Sequence, residues 1–321
     1  MHFLDYWKGA KPRLDDALKR QPSILWQGSS PADAVSLQSA LDGGKKIRGC
    51  LVCMVSEILG GNFEAAIPRA LAIEFIQAAS LIHDDFVDQD TVRRNRPSMW
   101  TLEGARRAVL FGDFIFATAI KMMNDLSRED GCVVSETIAK VASGALHEPL
   151  NALSLIREIE SDRFDGSLYE RIIHFKTGAL FGAACQLGAI TARARRGVRE
   201  EFYGYGVRIG EAYQIADDLH EVDKHLSAGS ISRDQVAILT PTFLYFAKET
   251  MSPILEVLRG HPGSEETIRA KISGIGGLME AEIKHRLENA VMEIGHLPVD
   301  QHKELIRTAP WELIRMIKEV E

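Results

Sequence analysis

Apolar residues recur at three- and four-residue intervals along almost the whole chain. No alternating apolar and polar run with a hairpin turn stands out, so the pattern predicts an all-α fold. A first amphipathic helix is expected around Leu14 to Leu25. Ser30-Pro31 then offers an N-cap and a proline at the first helical position for a second helix through Leu41. Gly43-Gly44 breaks the pattern, and a helix from about Lys45 to Leu59 follows, ended by Gly60-Gly61. The next runs from about Phe63 into the acidic stretch Asp84-Asp85-Phe86-Val87-Asp88, with Pro97 closing that element. Further helices are expected over Met99 to Met123, Val134 to Ile156 with a bend at Pro149, Ser167 to Ala192 and Val198 to Leu226. Ser227 to Asp234 reads as a loop. Beyond Pro241 come Thr242 to Arg259, Glu265 to Ile294 and Gln301 to Val320. With no internal repeat or long linker, residues 1–321 are expected to form one domain whose helices surround a central helix or cavity.

Composition changes this picture little. A net charge of -7, with 26% charged and 45% hydrophobic residues, is ordinary for a globular protein and argues against nucleic-acid binding. Met1 to Ala10 lacks the basic end and apolar core of a signal peptide, and no charge-free apolar stretch of about twenty residues stands out. A cytoplasmic location without a membrane span is the expectation. Cys50, Cys53, Cys132 and Cys185 are too few and scattered for a disulfide framework. The Cys50/Cys53 pair lies in an apolar helical run and reads as packing rather than a zinc site.

The acidic stretch does change it. On a helix, Asp84, Asp85 and Asp88 converge on one side, and like charges so placed repel by about 0.2–0.5 kcal/mol per pair even in water. Asp217, Asp218 and Glu221 repeat the spacing far down the chain. Either cluster alone could be a solvated acidic face. Two of them, each at the end of an apolar run, favour a shared hard-cation site, and carboxylate oxygens suit magnesium. Lys45 and Arg48 follow Gly43-Gly44 at an expected helix start, where free backbone N–H groups favour an anion, whereas Lys46 reads as an exposed lysine. Arg93 and Arg94 follow the first cluster and could also serve as its salt-bridge partners. Lys176-Thr177 sits in a strongly apolar helix, so the lysine points either into a polar cavity or out along the surface.

In family order, Gly43-Gly44-Lys45-Lys46-Ile47-Arg48, Glu74-Phe75-Ile76-Gln77 through Asp88, Arg93-Arg94, Gly112-Asp113-Phe114, Lys176-Thr177-Gly178 and Tyr213-Gln214 through Glu221 resemble a trans-isoprenyl diphosphate synthase of the polyprenyl synthetase family. The likeness covers about residues 40 to 225. It implies a large α-helical bundle, usually a homodimer, that condenses an allylic diphosphate with isopentenyl diphosphate. By that resemblance Asp84, Asp85, Asp88, Asp217, Asp218 and Glu221 would hold three magnesium ions on the allylic diphosphate. Arg93, Lys176, Thr177 and Gln214 would contact the same diphosphate, and Lys45, Arg48, Gln77 and Arg94 the isopentenyl one. The aspartates Asp84, Asp85, Asp88 and Asp217, with Lys176, would carry catalysis by neutralising the leaving group.

The sequence departs from the family in four places. Glu221 stands for the commoner Asp, Gly49 for proline and Glu148 for an expected glutamine. The lysines usual before a Thr-Pro are missing, with Lys224 and Arg233 as their candidate replacements. Ala79 and Ser80, one turn before Asp84, are small where bulky aromatics would stop a growing tail. Ile76, Ile73, Phe114 and Phe116 are candidate floors. The expected product is therefore longer than farnesyl diphosphate, with geranylgeranyl diphosphate first. A class I terpene cyclase and a regulatory subunit of a hetero-oligomeric prenyl synthase are the alternatives. Lys45, Arg48 and Arg94 argue against the former, and the intact acidic clusters against the latter.

Overall fold

In the computed structural model, the described residues are 1–20, 30–148, 152–161, 164–228, 231–261, 264–297 and 302–318. The first half comprises α1 (Phe3–Arg20), α2 (Pro31–Leu41), α3 (Ile47–Ile58), α4 (Phe63–Val87), α5 (Met99–Glu103), α6 (Ala105–Leu126) and α7 (Arg128–His147). After α8 (Ala152–Glu160) and α9 (Leu168–Ile172), a π-helical turn over Ile173–Gly178 leads into α10 (Ala179–Thr191). The long α11 (Arg196–Ala228) is followed by α12 (Arg233–Phe246), α13 (Met251–Leu258), α14 (Ser264–Ile272), α15 (Ile275–Ile294) and α16 (Lys303–Lys318). The expected all-α fold is what these residues adopt.

Helix starts follow local chemistry. Ser30 caps α2 with a reciprocal bond to Asp33, the Asn62 side chain accepts from the Ala65 N–H at 2.8 Å to start α4, and Ser232 with Gln235 boxes α12. Several expected boundaries shift. The acidic helix ends at Val87, well before Pro97, and a small antiparallel hairpin of β1 (Val92–Arg93) and β2 (Arg96–Pro97) follows, which periodicity could not show in two-residue strands. Gly104, at φ 83°, splits the helix expected over Met99 to Met123 into α5 and α6. The stretch expected as one helix to Ile156 ends at His147 and resumes as α8, and the stretch from Glu265 divides into α14 and α15. Helix α11 extends through Ala228 into the expected loop. Pro241 lies inside α12 rather than before a helix, buried together with Thr240 and Thr242. Residues 21–25 of the expected first helix, the bend at Pro149, residues 229 and 230, and the outermost residues of the expected last helix lie outside the described residues.

Two apolar clusters make the interior. One joins α1–α7, α10 and the first part of α11 with α16. The other joins α8, α9, the later part of α11 and α12–α15. Helix α11 serves both, burying Phe202, Tyr205 and Ile209 in the first and Ile215, Leu219 and Val222 in the second. Helix α4 is apolar nearly all round and is packed on most sides, with Ile73, Phe75, Ile76 and Ala79 inaccessible. Among the described helices it alone is long and apolar enough to cross a membrane, contrary to the expectation from charge spacing. Its residues are instead mostly covered by neighbouring helices.

Candidate active site

The first acidic cluster sits where α4 ends. Asp88 is the C-cap, its N–H donating to the Asp84 carbonyl at 2.8 Å, so Asp84 and Asp88 stay on one side. Asp85 has a partner of its own. It is 3% exposed and accepts from Arg93 Nε at 2.7 Å, while Arg93 also reaches Asp90 at 3.5 Å. The salt-bridge role open to Arg93 is thus the one it plays here. The hairpin makes this contact by turning through Arg94 (φ 52°) and Asn95 (φ 58°), positive at both central residues as in tight hairpins. The same turn sends Arg94 Nη1 to the Asp42 carbonyl at 2.9 Å and lays its guanidinium over Gly44, where a Cβ would lie 2.5 Å from Nη2. Gly44, at φ 70°, is favoured by its left-handed backbone, and any side chain there would have to displace the Arg94 guanidinium.

The second cluster lies within α11. Asp218 accepts from the Tyr169 hydroxyl at 2.6 Å and from Gln214 Nε2 at 2.9 Å. Burial pushes its carboxyl up to about 6, against the pull of those two donors. Asp217 is open to solvent yet hemmed in by protein. Its carboxyl is raised by that loss of water first and by Glu221 next. Glu221 sits 3.4 Å from Lys224 Nζ and 3.6 Å from His225 Nε2, so Lys224 serves this carboxylate, and Arg233 opens α12 in an exposed position. Across from these, burial pushes Asp84 up to about 6. Lys176 opposes that shift, while Glu148 and Asp88 add to it.

Lys176 stands between the two clusters, within electrostatic reach of Asp84, Asp88, Asp217 and Asp218. The π-helical turn carries it, and such turns, with one extra residue per bond, recur at functional sites. Burial alone would lower the lysine's pKa, but Glu148 and then Asp84 more than offset it and the net shift is upward. Both Glu148 oxygens accept from Nζ, at 2.7 and 2.8 Å. Thr177 Oγ1 donates to Gln214 Oε1 at 2.6 Å, so two residues predicted to touch one diphosphate are bonded to each other. Below them buried Glu211 joins His174 Nδ1 at 2.9 Å and Arg286, which also holds Glu282 at 2.7 Å. Tyr169, Glu211 and Arg286 escaped the sequence reading because each acts through a contact distant in the chain.

A second group of cations lies around the start of α3. The helix begins at Ile47, so Lys45 precedes it rather than opening it, and Lys46 is the N-cap at φ 51°. Lys45 Nζ donates to the Met316 carbonyl in the last turn of α16, where orphan carbonyls welcome a cation. Lys46 is 6% exposed, not a surface lysine. Its Nζ bonds the Leu41 carbonyl and lies 3.9 Å from buried Glu74. Glu74 Oε1 also accepts from the Gly49 N–H at 2.8 Å, a donor that the family's proline would lack. Arg48 stacks 4.4 Å over Phe181 and interacts with Tyr213 and Asp217. Its pKa is lowered chiefly by burial. Gln77 is half-buried on α4, and its carbonyl accepts from Ser80 Oγ at 3.0 Å.

Of the residues proposed to limit the tail, Ala79, Ile76 and Ile73 are inaccessible on α4, and Ser80 is half-buried. Phe116 is partly buried with its ring edge-on to His83 at 5.6 Å. Phe114 is different: 39% exposed, it lines an outer groove with Leu37, Arg107 and Leu110. Two residues along a helix is about 200° of rotation, so Phe114 and Phe116 cannot share a floor.

Among the described residues no three carboxylates, histidines or cysteines converge closely enough to cage a metal by themselves. The carboxylates of the two clusters offer only oxygen donors, and burial has raised the carboxyls of Asp84, Asp85, Asp217 and Asp218, a set that gains from a cation. Magnesium is commonly held by one or two carboxylates together with phosphate and water oxygens, so the residues present fit that ion without a closed cage.

Comparison with known proteins agrees with the geometry. A geranylfarnesyl diphosphate synthase of Methanosarcina mazei is 35% identical over 179 residues, 56% of this chain and 58% of that protein, so the aligned part spans little more than half of that relative. A geranylfarnesyl diphosphate synthase of Aeropyrum pernix is 31% identical over 305 residues, 88% of this chain and 93% of that one. The crystal structure of a geranylgeranyl pyrophosphate synthase superposes with a TM-score of 0.80 over 96% of this chain and 98% of the other. At 22% identity that likeness shows the fold. The polyprenyl synthetase family model matches residues 33–229, a span holding both acidic clusters, the hairpin arginines and Lys176. This chain belongs to the polyprenyl synthetase family.

Proposed function

We propose that the chain is a trans-prenyltransferase that condenses isopentenyl diphosphate with an allylic diphosphate to give a longer all-trans prenyl diphosphate. The observation that carries this reading is the division of charge. Two acidic clusters flank Lys176, while Lys45, Arg48 and Arg94 stand around the Gly43-Gly44 turn and the start of α3, with Lys45 and Arg48 also within electrostatic reach of Asp217. A cyclase has no second diphosphate for that group to hold.

In this reading the allylic diphosphate lies between the clusters, against Lys176, Thr177 and Gln214. Asp84, Asp88, Asp217 and Glu221 would hold magnesium there, which when bound neutralises the leaving diphosphate. Arg93, bonded to Asp85, stabilises the cluster from behind and can also offer its outer N–H groups to the diphosphate. The allylic C–O bond breaks, the terminal alkene carbon of isopentenyl diphosphate attacks the allylic carbon to leave a tertiary cation, and the adjacent CH2 gives a proton to the released diphosphate as the new double bond forms. No side-chain nucleophile is needed, and the apolar faces of α4 and α10 exclude water from the cation.

Ala79 and Ser80 carry no bulky group to stop a tail at the first turn below Asp84, although Ala79 is covered by its neighbours here, and Ile76 follows about 5 Å further down, close to one isoprene unit. Geranylgeranyl diphosphate is therefore the product proposed. One unit longer is the second reading, favoured by the two geranylfarnesyl diphosphate synthases among its relatives. We further propose a homodimer, with a second copy covering Leu110 and Phe114 on α6. The purified chain with magnesium, isopentenyl diphosphate and each allylic primer should yield a prenyl diphosphate of that length. No product from any primer would sink the synthase reading, and an unchanged product from Ser80→Phe would sink the floor argument.

A further inference from the structure

Glu148 stands out because its charge opposes the task of the site. It caps the C-terminal end of α7 and is directed at Lys176, and Gly144, one turn earlier on the same face, makes this possible. A Cβ on Gly144 would lie 2.5 Å from the Lys176 backbone nitrogen, so only glycine lets α7 approach the π-helical turn this closely. The helix thus brings backbone to backbone at Gly144 and carboxylate to ammonium at Glu148. Both Glu148 oxygens are engaged with Nζ, at 2.7 and 2.8 Å, leaving the lysine one remaining proton for the Asp84 side. Lys176 is 24% exposed and Glu148 35%, so the pair is reachable by a ligand.

We propose that Glu148 is a positioning residue that occupies Lys176 in place of the substrate's diphosphate, thereby weakening allylic diphosphate binding and favouring release. This rests on the reading that Lys176 receives that diphosphate. An arriving diphosphate must take the ammonium from Glu148. The displaced carboxylate then stays beside a second anion, a like-charge contact that a neutral side chain would lack. Glutamine at 148 would keep one oxygen to hold the lysine in place while removing the charge.

The test uses magnesium with inorganic pyrophosphate, measured by calorimetry, and steady-state kinetics on the full chain. Glu148→Gln should bind pyrophosphate about fivefold more tightly and show a KM for the allylic diphosphate lowered to match. The KM for isopentenyl diphosphate should hold, since that substrate lies with Lys45, Arg48 and Arg94. About fivefold is what an ion pair of this exposure can supply. Glu148→Asp, which keeps the charge, should bind pyrophosphate as the unaltered protein does. Unchanged or weaker pyrophosphate binding in Glu148→Gln overturns the proposal, as does equal tightening in Glu148→Asp, which would make geometry the cause. The parent reading fails separately: unaltered protein that binds pyrophosphate but condenses nothing removes the synthase, while the Glu148 variants still decide their own question. If the unaltered protein binds no pyrophosphate at all, both fall.

Discussion

The two acidic clusters share a spacing and differ in how the protein tolerates them. In each, the middle carboxylate is held by the protein, Asp85 by the Arg93 guanidinium and Asp218 by a tyrosine hydroxyl and an amide. Of the outer carboxylates, Asp84, Asp88 and Asp217 lie within electrostatic reach of Lys176, and Glu221 pairs with Lys224 and His225. The first cluster lies at the C-terminal end of α4, where the helix dipole is unfavourable to carboxylates, and there the partner is a full positive charge. The second lies within α11, away from the helix end, and neutral donors suffice. One pattern of three carboxylates thus contains two jobs, an anchor bonded by the protein and outer carboxylates left for cations, and the backbone position of the cluster decides what kind of anchor is needed.

The sharpest way to break this division is to neutralise an outer carboxylate. Asp84→Asn should lower kcat by about a thousandfold, as loss of one preorganised charge-stabilising group does. Its metal-free melting temperature should not fall, because burial already disfavours the charged form of Asp84. A clear loss of stability would show that Asp84 is an anchor too. The converse holds for the middle carboxylate. Asp85→Ala leaves Arg93 without its main acceptor and should cost about 2 kcal/mol in denaturant unfolding, an effect that added salt reduces.

Tyr169→Phe probes the neutral anchor and should cost less, about 1 kcal/mol, with little dependence on salt. It should also move the Asp218 titration, followed by NMR, further upward, since the lost hydroxyl was pulling it down. Titration alone gives the smallest effect. Asp84 and Asp218 are both raised to about 6, so between the ordinary carboxylate range and that value the folded state binds more protons than the unfolded one. Their contribution to stability is full at low pH and is lost as pH rises through about 6. The metal-free protein should therefore lose about 2 °C more in melting temperature from pH 5.5 to 7.5 than an Asp84→Asn/Asp218→Asn double variant does. Equal losses would show that the two burials contribute nothing.

Much of the fold was legible because helix periodicity is local. Ser30-Pro31, Gly43-Gly44 and the apolar stripes of α3, α4 and α11 each state their element within a turn or two. Two boundaries failed for want of a local signal: Pro241 stands within a helix where proline alone reads as a break, and the hairpin at Val92 to Pro97 is too short to have a period. Residue types and spacing likewise named both acidic clusters and the cations.

What the sequence determined by itself, then, is the inventory: which carboxylates come in groups, which cations follow glycine turns, and that Ala79 and Ser80 are small. Tertiary structure alone decided the pairing. Lys46 is a buried N-cap beside Glu74, Phe114 faces outward and Lys176 belongs to Glu148. The reason is that a side chain's charge is a property of its residue, whereas the partner that satisfies it is fixed by which helices pack together, and those contacts join residues far apart in the chain.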